Sequence, residues 1–305
     1  MSSLTRIAHI GAAGSLGAAV LKELIDAGLE VTVLSRTTGK LPTELSSKVK
    51  EVAVDFTSKT AIADALKGQE AVVSTIGSAG LSLQETVIEA AIDAGVTRFI
   101  PSEFGSDLQN PLARALPVFA DKVKIEDLLE KRAAETGLSY TFIYNNLFLD
   151  WGLNVGFIAD VAGKKATIYN GGSFPISVTR LSTVGKAVVG VLRNPDATKN
   201  QTVRIHDGKL TKREIVEAAQ GVTGADGWAI SEENTADVQA KSDKALSEGV
   251  FDEWVWLGYI IRASQTEEAK PGYESVQNGL LGLKEHSPEE MKALVQEIAK
   301  SIVSA

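Results

Sequence analysis

The 305-residue chain contains no cysteine. Disulfide bonds, thiolate metal sites and a cysteine nucleophile are therefore excluded, and we expect the protein in the reducing cytoplasm. Any redox chemistry needs a bound cofactor. The sequence also lacks a run of about 18 apolar residues, and Met1 to Arg6 lacks the features of an export signal. It therefore predicts neither a membrane-spanning helix nor a secretory leader.

Several catalytic signatures are also missing. None of the five tyrosines has a lysine four residues later, which excludes the usual Tyr-x-x-x-Lys acid of short-chain dehydrogenases. The absence of Gly-x-Ser-x-Gly and GxxxxGK[ST] argues against a hydrolase and a P-loop enzyme. The three histidines, His9, His206 and His286, show no metal-ligand spacing. We interpret them as structural residues and expect no metal site.

Acidic residues outnumber basic ones, 39 to 31, and give a formal charge of −8. Such a surface repels nucleic-acid backbones and anionic lipid, so neither is an expected partner. With 44% hydrophobic and 23% charged residues, the composition is that of an ordinary globular protein. The length predicts one large or two medium domains.

Short apolar runs alternate with helical patterns through the first half of the chain. Continuous apolarity of this kind is typical of strands buried on both faces, and strict alternation implies a parallel sheet covered on both sides. Residues 1–150 are therefore predicted to form a doubly wound α/β domain of the Rossmann type. The expected strands are Ile7–Ile10, Val31–Leu34, Val49–Val54, Ala71–Ile76, Arg98–Pro101 and Tyr140–Tyr144, and the helices Gly17–Ala27, Thr60–Leu66, Ser82–Ala94 and Val118–Thr136.

The regular alternation ends near residue 150. Helix starts are marked by the capping-box spacing of Thr211–Glu214 and by Ser287–Glu290, which also has proline at its first helical position. We interpret residues 151–305 as a smaller α/β substrate-binding domain, with a ligand cleft between the two parts. Its expected strands are Ala166–Tyr169, Thr202–His206 and Trp228–Ser231.

A glycine-rich segment follows the first predicted strand and opens the first helix. Its spacing is GxxGxxG, a variant familiar among short-chain dehydrogenase-like folds. We assign a tight turn to Gly11, close approach of a pyrophosphate to Gly14, and helix–sheet packing to Gly17. The start of the helix offers free N–H groups to phosphates, so this loop predicts a dinucleotide site, although a structural turn is the alternative. The predicted contacts are Gly11, Ala13, Gly14, Ser15, Leu16 and Gly17.

Arg36 stands at the end of the second strand, where an NAD-binding domain usually carries an acidic residue. A guanidinium at this point favours the 2′-phosphate of NADP(H), because a charge-assisted hydrogen bond contributes roughly 1.5–3 kcal/mol. Arg36 stacked on adenine or facing solvent is the alternative. Asp55 and Phe56 are placed to meet the adenine edge, with an ordinary strand-end role equally open. Lys40 is either a further contact or a solvated loop charge.

The segment Arg98–Gly105, RFIPSEFG, resembles the signature of the isoflavone reductase-like and NmrA-like family of atypical short-chain dehydrogenases. The match covers the first half of the chain well and the second half in general layout only. It extends through the glycine loop, Arg36, Ser74–Gly77, Gln84, Phe119–Lys122 and Tyr140–Phe148.

In that family a lysine at the Phe-x-x-Lys position acts as acid/base in place of tyrosine, which makes Lys122 the catalytic candidate. A lysine beside a nicotinamide in an apolar cleft has a lowered pKa and exchanges protons near neutral pH. The alternative is a solvated helix charge, because the segment Asp121–Asp127 is highly charged. The helix is longer by four residues than in plant members, one full turn, which preserves the facing of Lys122.

The resemblance also implies further cofactor contacts, each of which has strand-end packing as its alternative. They are the segment Ser74–Gly77, with Thr75 and Gly77, along the cofactor, Pro101 and Phe104 near the nicotinamide, and Asn146 and Phe148 at the rim between cofactor and substrate. Gln84 is a further expected cofactor contact. The aromatic run Phe251–Tyr259 is interpreted as a docking helix or dimer contact in preference to a cleft wall.

We therefore expect an NADPH-dependent reductase of a small aromatic or secondary-metabolite-like compound. A non-catalytic NAD(P)-sensing regulator, as the NmrA branch is taken to be, is the alternative. The protein is expected to be a monomer or a homodimer.

Overall fold

Seven parallel strands form the central sheet of the structure, a computed structural model that describes residues 3–304. Their order is β10-β6-β5-β4-β1-β2-β3, and helices cover both faces, so the predicted doubly wound fold is confirmed. The strands are β1 (Arg6–Ile10), β2 (Glu30–Ser35), β3 (Lys50–Ala53), β4 (Ala71–Ser74), β5 (Arg98–Ile100), β6 (Ser139–Tyr144), β7 (Leu147–Phe148), β8 (Lys165–Tyr169), β9 (Pro175–Thr179), β10 (Gln201–Arg204), β11 (Gly208–Thr211) and β12 (Ala229–Glu233).

Twelve α-helices and four short 3-10 turns are found within the described residues. Helix α6 begins after a 3-10 turn at Pro117–Phe119, two residues later than the sequence predicts. The helices are α1 (Ser15–Asp26), α2 (Thr43–Ser46), α3 (Lys59–Leu66), α4 (Leu83–Asp93), α5 (Pro111–Arg114), α6 (Ala120–Glu135), α7 (Leu149–Asn154), α8 (Leu181–Arg193), α9 (Lys212–Thr223), α10 (Thr235–Ser247), α11 (Glu253–Ser264) and α12 (Pro288–Val303).

The two faces of the sheet bury separate apolar clusters. In β1, Ala8 and Ile10 pack with helices α3, α4 and α6, whereas Ile7 packs with α1 and α8. Successive side chains of a strand point to opposite faces, so a strand that is apolar at every position fits only a sheet covered on both sides. This explains why the sequence pattern identified the sheet.

The order in which strands are added to the sheet reverses between β1 and β4. From β1 the chain proceeds outward to β2 and β3 on one side, and β4, β5 and β6 continue on the other. At such a switch point the connections leave on opposite faces and open a crevice at the carboxyl ends of the strands. The loops after β1, β2 and β4 meet there.

Part of the central sheet comes from beyond residue 150. The sequence assigned Thr202–His206 to the C-terminal part, but in the structure this segment, as β10, pairs in parallel with β6. Helix α8 packs on α1, and a Cβ atom at Gly185 would lie 3.0 Å from the carbonyl oxygen of Ala19. The central sheet therefore does not end at residue 150, because its outermost strand on this side, β10, comes from a distant part of the chain.

The remaining C-terminal elements form a third apolar cluster around α7, α9 and α12. They include a three-stranded sheet, β11-β9-β7, and a two-stranded sheet, β12-β8. Both predicted capping boxes are present, at Thr211 with Glu214 and at Ser287 with Glu290. Across residues 3–304, no helix has the length and apolarity needed to cross a bilayer.

The aromatic run Phe251–Tyr259 divides between core and surface. Val255 and Tyr259 of α11 are buried in the cluster that covers the first sheet, and the Tyr259 hydroxyl donates to Asp243 Oδ1 at 2.7 Å. Phe251 and Trp254 are exposed. Helix α11 thus packs on the core by one face, and its role as a docking helix or dimer contact stays a prediction.

We predict that His9 makes the fold acid-sensitive. Burial lowers the pKa of His9 to about 3, so between that value and its ordinary pKa the unfolded chain binds a proton that the folded chain does not. Stability is lost as the pH falls below about 6.5, by about 3 kcal/mol at pH 4. The free energy of unfolding is measured by urea titration at pH 7 and at pH 4. Its loss between these two pH values should be smaller in His9→Val than in the wild type by about 3 kcal/mol. An equal loss in the two proteins contradicts the prediction.

Candidate active site

The glycine turn after β1 packs directly against the end of β4. Gly11 has φ +89°, and a Cβ atom there would lie 2.6 Å from the carbonyl group of Thr75. A Cβ atom at Gly17 would lie 2.1 Å from the carbonyl oxygen of Gly11. Neither position accepts a larger residue, because the clashes are with backbone. Packing within the protein therefore explains two of the three glycines.

Gly14 is different, because the protein itself does not require a glycine there. Its φ is −77°, and a Cβ atom would come no closer than 3.5 Å to another group. Gly14 is the N-cap of α1, and no side-chain hydrogen bond caps the N–H groups of the first turn. Gly14 is exposed together with Ala13 and Ser15. The first turn of α1 contains no acidic residue. The site thus keeps free space and uncapped N–H groups, the combination that suits a phosphate.

A cleft of about 600 Å³ runs from this turn along the ends of β1, β2 and β4. It lies at the reversal point of the sheet, where a dinucleotide is expected in this fold. The predicted cofactor residues that line it are Gly11, Ala13, Gly14, Arg36, Phe56, Thr75 and Gly77. Ile76 of the predicted Ser74–Gly77 segment lines it too, together with residues that the prediction omitted, among them Ala12, Leu41 and Glu51.

Arg36 is exposed at the mouth of this cleft, directly after β2. Within the part of the chain that the structure describes, no carboxylate pairs with its guanidinium. The one acidic residue of the cleft wall, Glu51, accepts a hydrogen bond from Gly39 N at 2.9 Å and so orders the loop after Arg36. A free guanidinium on an ordered loop is suited to an anionic group.

Other predicted cofactor residues lie outside the cleft wall. Ser15, Leu16 and Gly17 continue into α1, and Asp55 is exposed with its carboxylate held by Thr57, whose hydrogen bonds lower the pKa of Asp55. Gln84 is fully buried and accepts a hydrogen bond from Ser102 N at 2.9 Å. It thereby ties α4 to the loop after β5. The cofactor roles of these residues stay predictions.

The loops after β5 and β6 form a second group beside the cleft. Gly105 O accepts hydrogen bonds from the backbone N–H groups of Asn145 and Asn146, at 3.2 and 2.9 Å. Asn146 has φ +52° and its side chain donates to Ser177 O at 3.1 Å, which joins this loop to β9. Pro101 and Phe104 are buried, and Phe148 is half-buried. They lie at the carboxyl edge of the sheet, and their cofactor contacts, which the family resemblance implies, stay predictions.

Lys122 lies in the first turn of α6 and is half-buried. Its Nζ donates to the backbone carbonyl of Glu103 at 2.6 Å, and it lies 3.8 Å from the Cβ position of Gly105. Burial lowers the pKa of Lys122, and the nearby carboxyls of Glu103 and Glu126 oppose this change. Lys122 is thus held against the loop after β5, whereas Lys124, two residues further along α6, is exposed.

Two buried carboxyls near Lys122 were missed in the sequence. Glu103 and Glu126 are fully buried, and the structure places both close enough to influence the amine. The charged run Asp121–Asp127 suggested solvated side chains. The available signal was the four-residue spacing of Lys122 and Glu126, which puts both on one side of a helix.

The comparisons with known proteins agree with this geometry. The NmrA-like family matches residues 3–227, so the chain belongs to the NmrA-like family. It is 30% identical to the oxidoreductase aprR of Aspergillus flavus, over 80% of this chain and 82% of that protein. It is 29% identical to the oxidoreductase poxI of Penicillium oxalicum, over 94% and 92% of the two chains.

Solved structures also resemble this one. The structure of AtPrR2 with NADP+ and (+)-pinoresinol superposes with a TM-score of 0.76 and covers 97% of this chain and 100% of that chain. The two sequences are 21% identical, so this likeness shows a shared fold. The resemblance inferred from the RFIPSEFG segment is therefore confirmed at the level of the family.

We predict that Gly14→Ala and Gly17→Ala separate cofactor binding from folding. The Cβ atom of Gly14→Ala meets no protein group but occupies the space beside the helix N-terminus, so the Kd for NADPH should rise roughly tenfold or more with stability changed by less than about 1 kcal/mol. Gly17→Ala overlaps the Gly11 carbonyl and should destabilise the fold by about 1–3 kcal/mol. Calorimetric titration and thermal unfolding measure the two effects. Equal NADPH affinity in Gly14→Ala and wild type contradicts the first part.

Proposed function

We propose that this protein is an NADPH-dependent reductase of a small aromatic or secondary-metabolite-like compound, with Lys122 as its acid/base. The space kept at Gly14, beside an uncapped helix N-terminus, carries the proposal. Packing accounts for Gly11 and Gly17, whereas the open space at Gly14 suits a bound phosphate. The oxidoreductase names of aprR and poxI support the reductase activity.

The residues of the cleft suit each part of the cofactor. The N–H groups at the start of α1 would bind the pyrophosphate, and the Arg36 guanidinium would bind a 2′-phosphate. The apolar side chains of Phe56 and Leu41 would contact the adenine end. The NADP+ bound in the structure of AtPrR2 supports this choice of cofactor. When bound, NADPH supplies a hydride.

Lys122 would manage the proton of the reaction. Its amine is held by the Glu103 carbonyl at the carboxyl edge of the sheet, beside the cleft. Burial favours the neutral amine, and the two neighbouring carboxyls favour the ammonium form. A lysine balanced in this way can give a proton to a substrate oxygen and regain it near neutral pH.

The substrate would be held by residues after 150 together with Phe148 at the predicted rim of the site. The half-buried Phe148 packs edge to face on Trp151 with ring centroids 6.4 Å apart, and Trp151 packs on Phe157 at 6.5 Å. Trp151 is partly exposed, so this aromatic row presents apolar surface next to the predicted rim of the site. Aromatic compounds fit such a surface by ring stacking. The pinoresinol in the structure of AtPrR2 supports the same class.

Arg36→Met tests the cofactor. Removal of the guanidinium should weaken NADPH binding by roughly ten- to a hundredfold, because one charge-assisted hydrogen bond is lost, and should leave NADH binding within about threefold. The Kd values are measured by calorimetry for both coenzymes. Lys48→Met, an exposed lysine outside the cleft, is the matched control. Equal losses for NADPH and NADH would show that Arg36 does not recognise the phosphate.

Lys122→Met tests the acid/base. With pinoresinol and related phenolic ethers and carbonyl compounds as first substrates, kcat should fall by roughly 10²–10⁴-fold with the Kd for NADPH within about threefold. Lys124→Met, exposed and two residues further along α6, should retain the wild-type rate. Near-normal kcat in Lys122→Met removes the role of the lysine. NADPH binding without turnover of any compound would favour the cofactor-sensing alternative.

A further inference from the structure

Glu103 touches Lys122 through its backbone and leaves its own carboxyl without a conventional partner. The carbonyl oxygen of Glu103 accepts from Lys122 Nζ at 2.6 Å. Its side chain is completely buried, and across residues 3–304 no nitrogen or hydroxyl donates to either carboxyl oxygen. A buried carboxylate with no donor is costly, so this group needs a proton or a partner.

A second carboxyl, that of Glu126, lies close enough to the Glu103 carboxyl to raise its pKa. Glu126 follows Lys122 by one helical turn, and its side chain is 1% exposed. Arg114 binds Glu126 Oε2 at 2.6 Å, and the hydroxyl of the buried Tyr144 donates to Glu126 Oε1. Glu126 is therefore fixed from two sides, in the neighbourhood of the Glu103 carboxyl.

Two neighbouring carboxyl groups can form a hydrogen bond only when one of them holds a proton. The surrounding charges favour the same state. Arg114 also binds Asp127 at 2.5 Å, so its positive charge is already shared with a carboxylate at the surface. The remaining cation is the ammonium group of Lys122. One negative charge on the two glutamates balances it, whereas two would leave an excess charge in a buried site.

Burial acts in the same direction. It raises the pKa of Glu103 to about 8; Lys122 opposes this rise and Glu126 adds to it. Burial also raises the pKa of Glu126, against the hydrogen bonds from Tyr144 and Arg114. A proton is thus retained on the two glutamates at neutral pH.

We propose that Glu103 and Glu126 share one proton, and that the single negative charge of this carboxyl pair positions Lys122 and keeps its buried amine in the ammonium form. Both are positioning residues, since they act through the lysine. This inference rests on the proposed function of Lys122. Among the acidic residues of the charged segment Asp121–Asp127, only Glu126 is buried. Asp121 and Asp127 are exposed, so they do not supply the negative charge beside the buried amine.

Infrared spectroscopy detects the shared proton without any substrate. The wild type at pH 7 should show the C=O stretching band of a protonated carboxylic acid, which shifts in D₂O. Glu103→Gln and Glu126→Gln should each remove the band, because the remaining carboxyl then ionises. Glu130→Gln, exposed on the same helix, is the matched control and should keep it. No band in the wild type, or a band that survives in both single variants, overturns the proposal.

The charge on Lys122 is read by NMR titration of protein labelled with ¹³Cε-lysine, with the signal assigned through Lys122→Met. Each single variant keeps one negative charge, so the midpoint should move by less than about half a unit. The double variant Glu103→Gln/Glu126→Gln removes the charge, and the midpoint should fall by about one unit or more, a tenfold loss of proton affinity. A midpoint unchanged in the double variant overturns the proposal.

Folding and the proposed function are tested separately. Thermal unfolding and NADPH affinity verify that each variant is folded, and the infrared comparison needs only the single variants if the double variant does not fold. If Lys122→Met stays active, the acid/base role fails while the infrared band and the NMR midpoints still report on the pair. If the wild type shows no infrared band but Lys122→Met is inactive, the shared proton is overturned and the acid/base role of Lys122 stands.

Discussion

The close approach of the Gly11–Gly17 turn to the end of β4 is the constraint on which the site depends. Backbone lies against backbone at both glycines, with no room for a side chain. This contact determines where α1 begins and which way its N–H groups point. It also places the turn next to Thr75, whose hydroxyl donates to Ile10 O at 3.1 Å. The site is thus a product of rigid backbone packing.

A second constraint joins the distant parts of the sheet. The Arg98 guanidinium is buried and donates to Ser139 and Thr141 of β6, to Thr198, and to the carbonyl of Pro195. These bonds connect β5 and β6 to the segment that leads into β10. Burial lowers the pKa of Arg98 to about 10, which leaves it charged at neutral pH. The arginine that opens the RFIPSEFG segment therefore has a structural explanation.

Local patterns in the sequence predicted the parts of the fold that depend on local chemistry. The glycine turn, the buried strands and both capping boxes depend on residues within a few positions of one another, and each is seen in the structure. Arg36 was identified because its distance from the glycine loop is set by one βαβ unit. The place of Thr202–His206 was missed because strand pairing across 60 residues leaves no local signal. For Glu126 the helical spacing from Lys122 was a local signal, but its burial depends on the distant residues Tyr144 and Arg114.

The late contribution of β10 and α8 to the central sheet has a consequence for biosynthesis. When the first 150 residues have left the ribosome, the edge of β6 and the apolar face of α1 are still uncovered, because their partners lie at Leu181–Arg193 and Gln201–Arg204. The nascent chain therefore carries an open strand edge until about residue 204 is translated. In this interval it is a natural client for chaperones, and a fragment that stops at residue 150 exposes the same surface permanently.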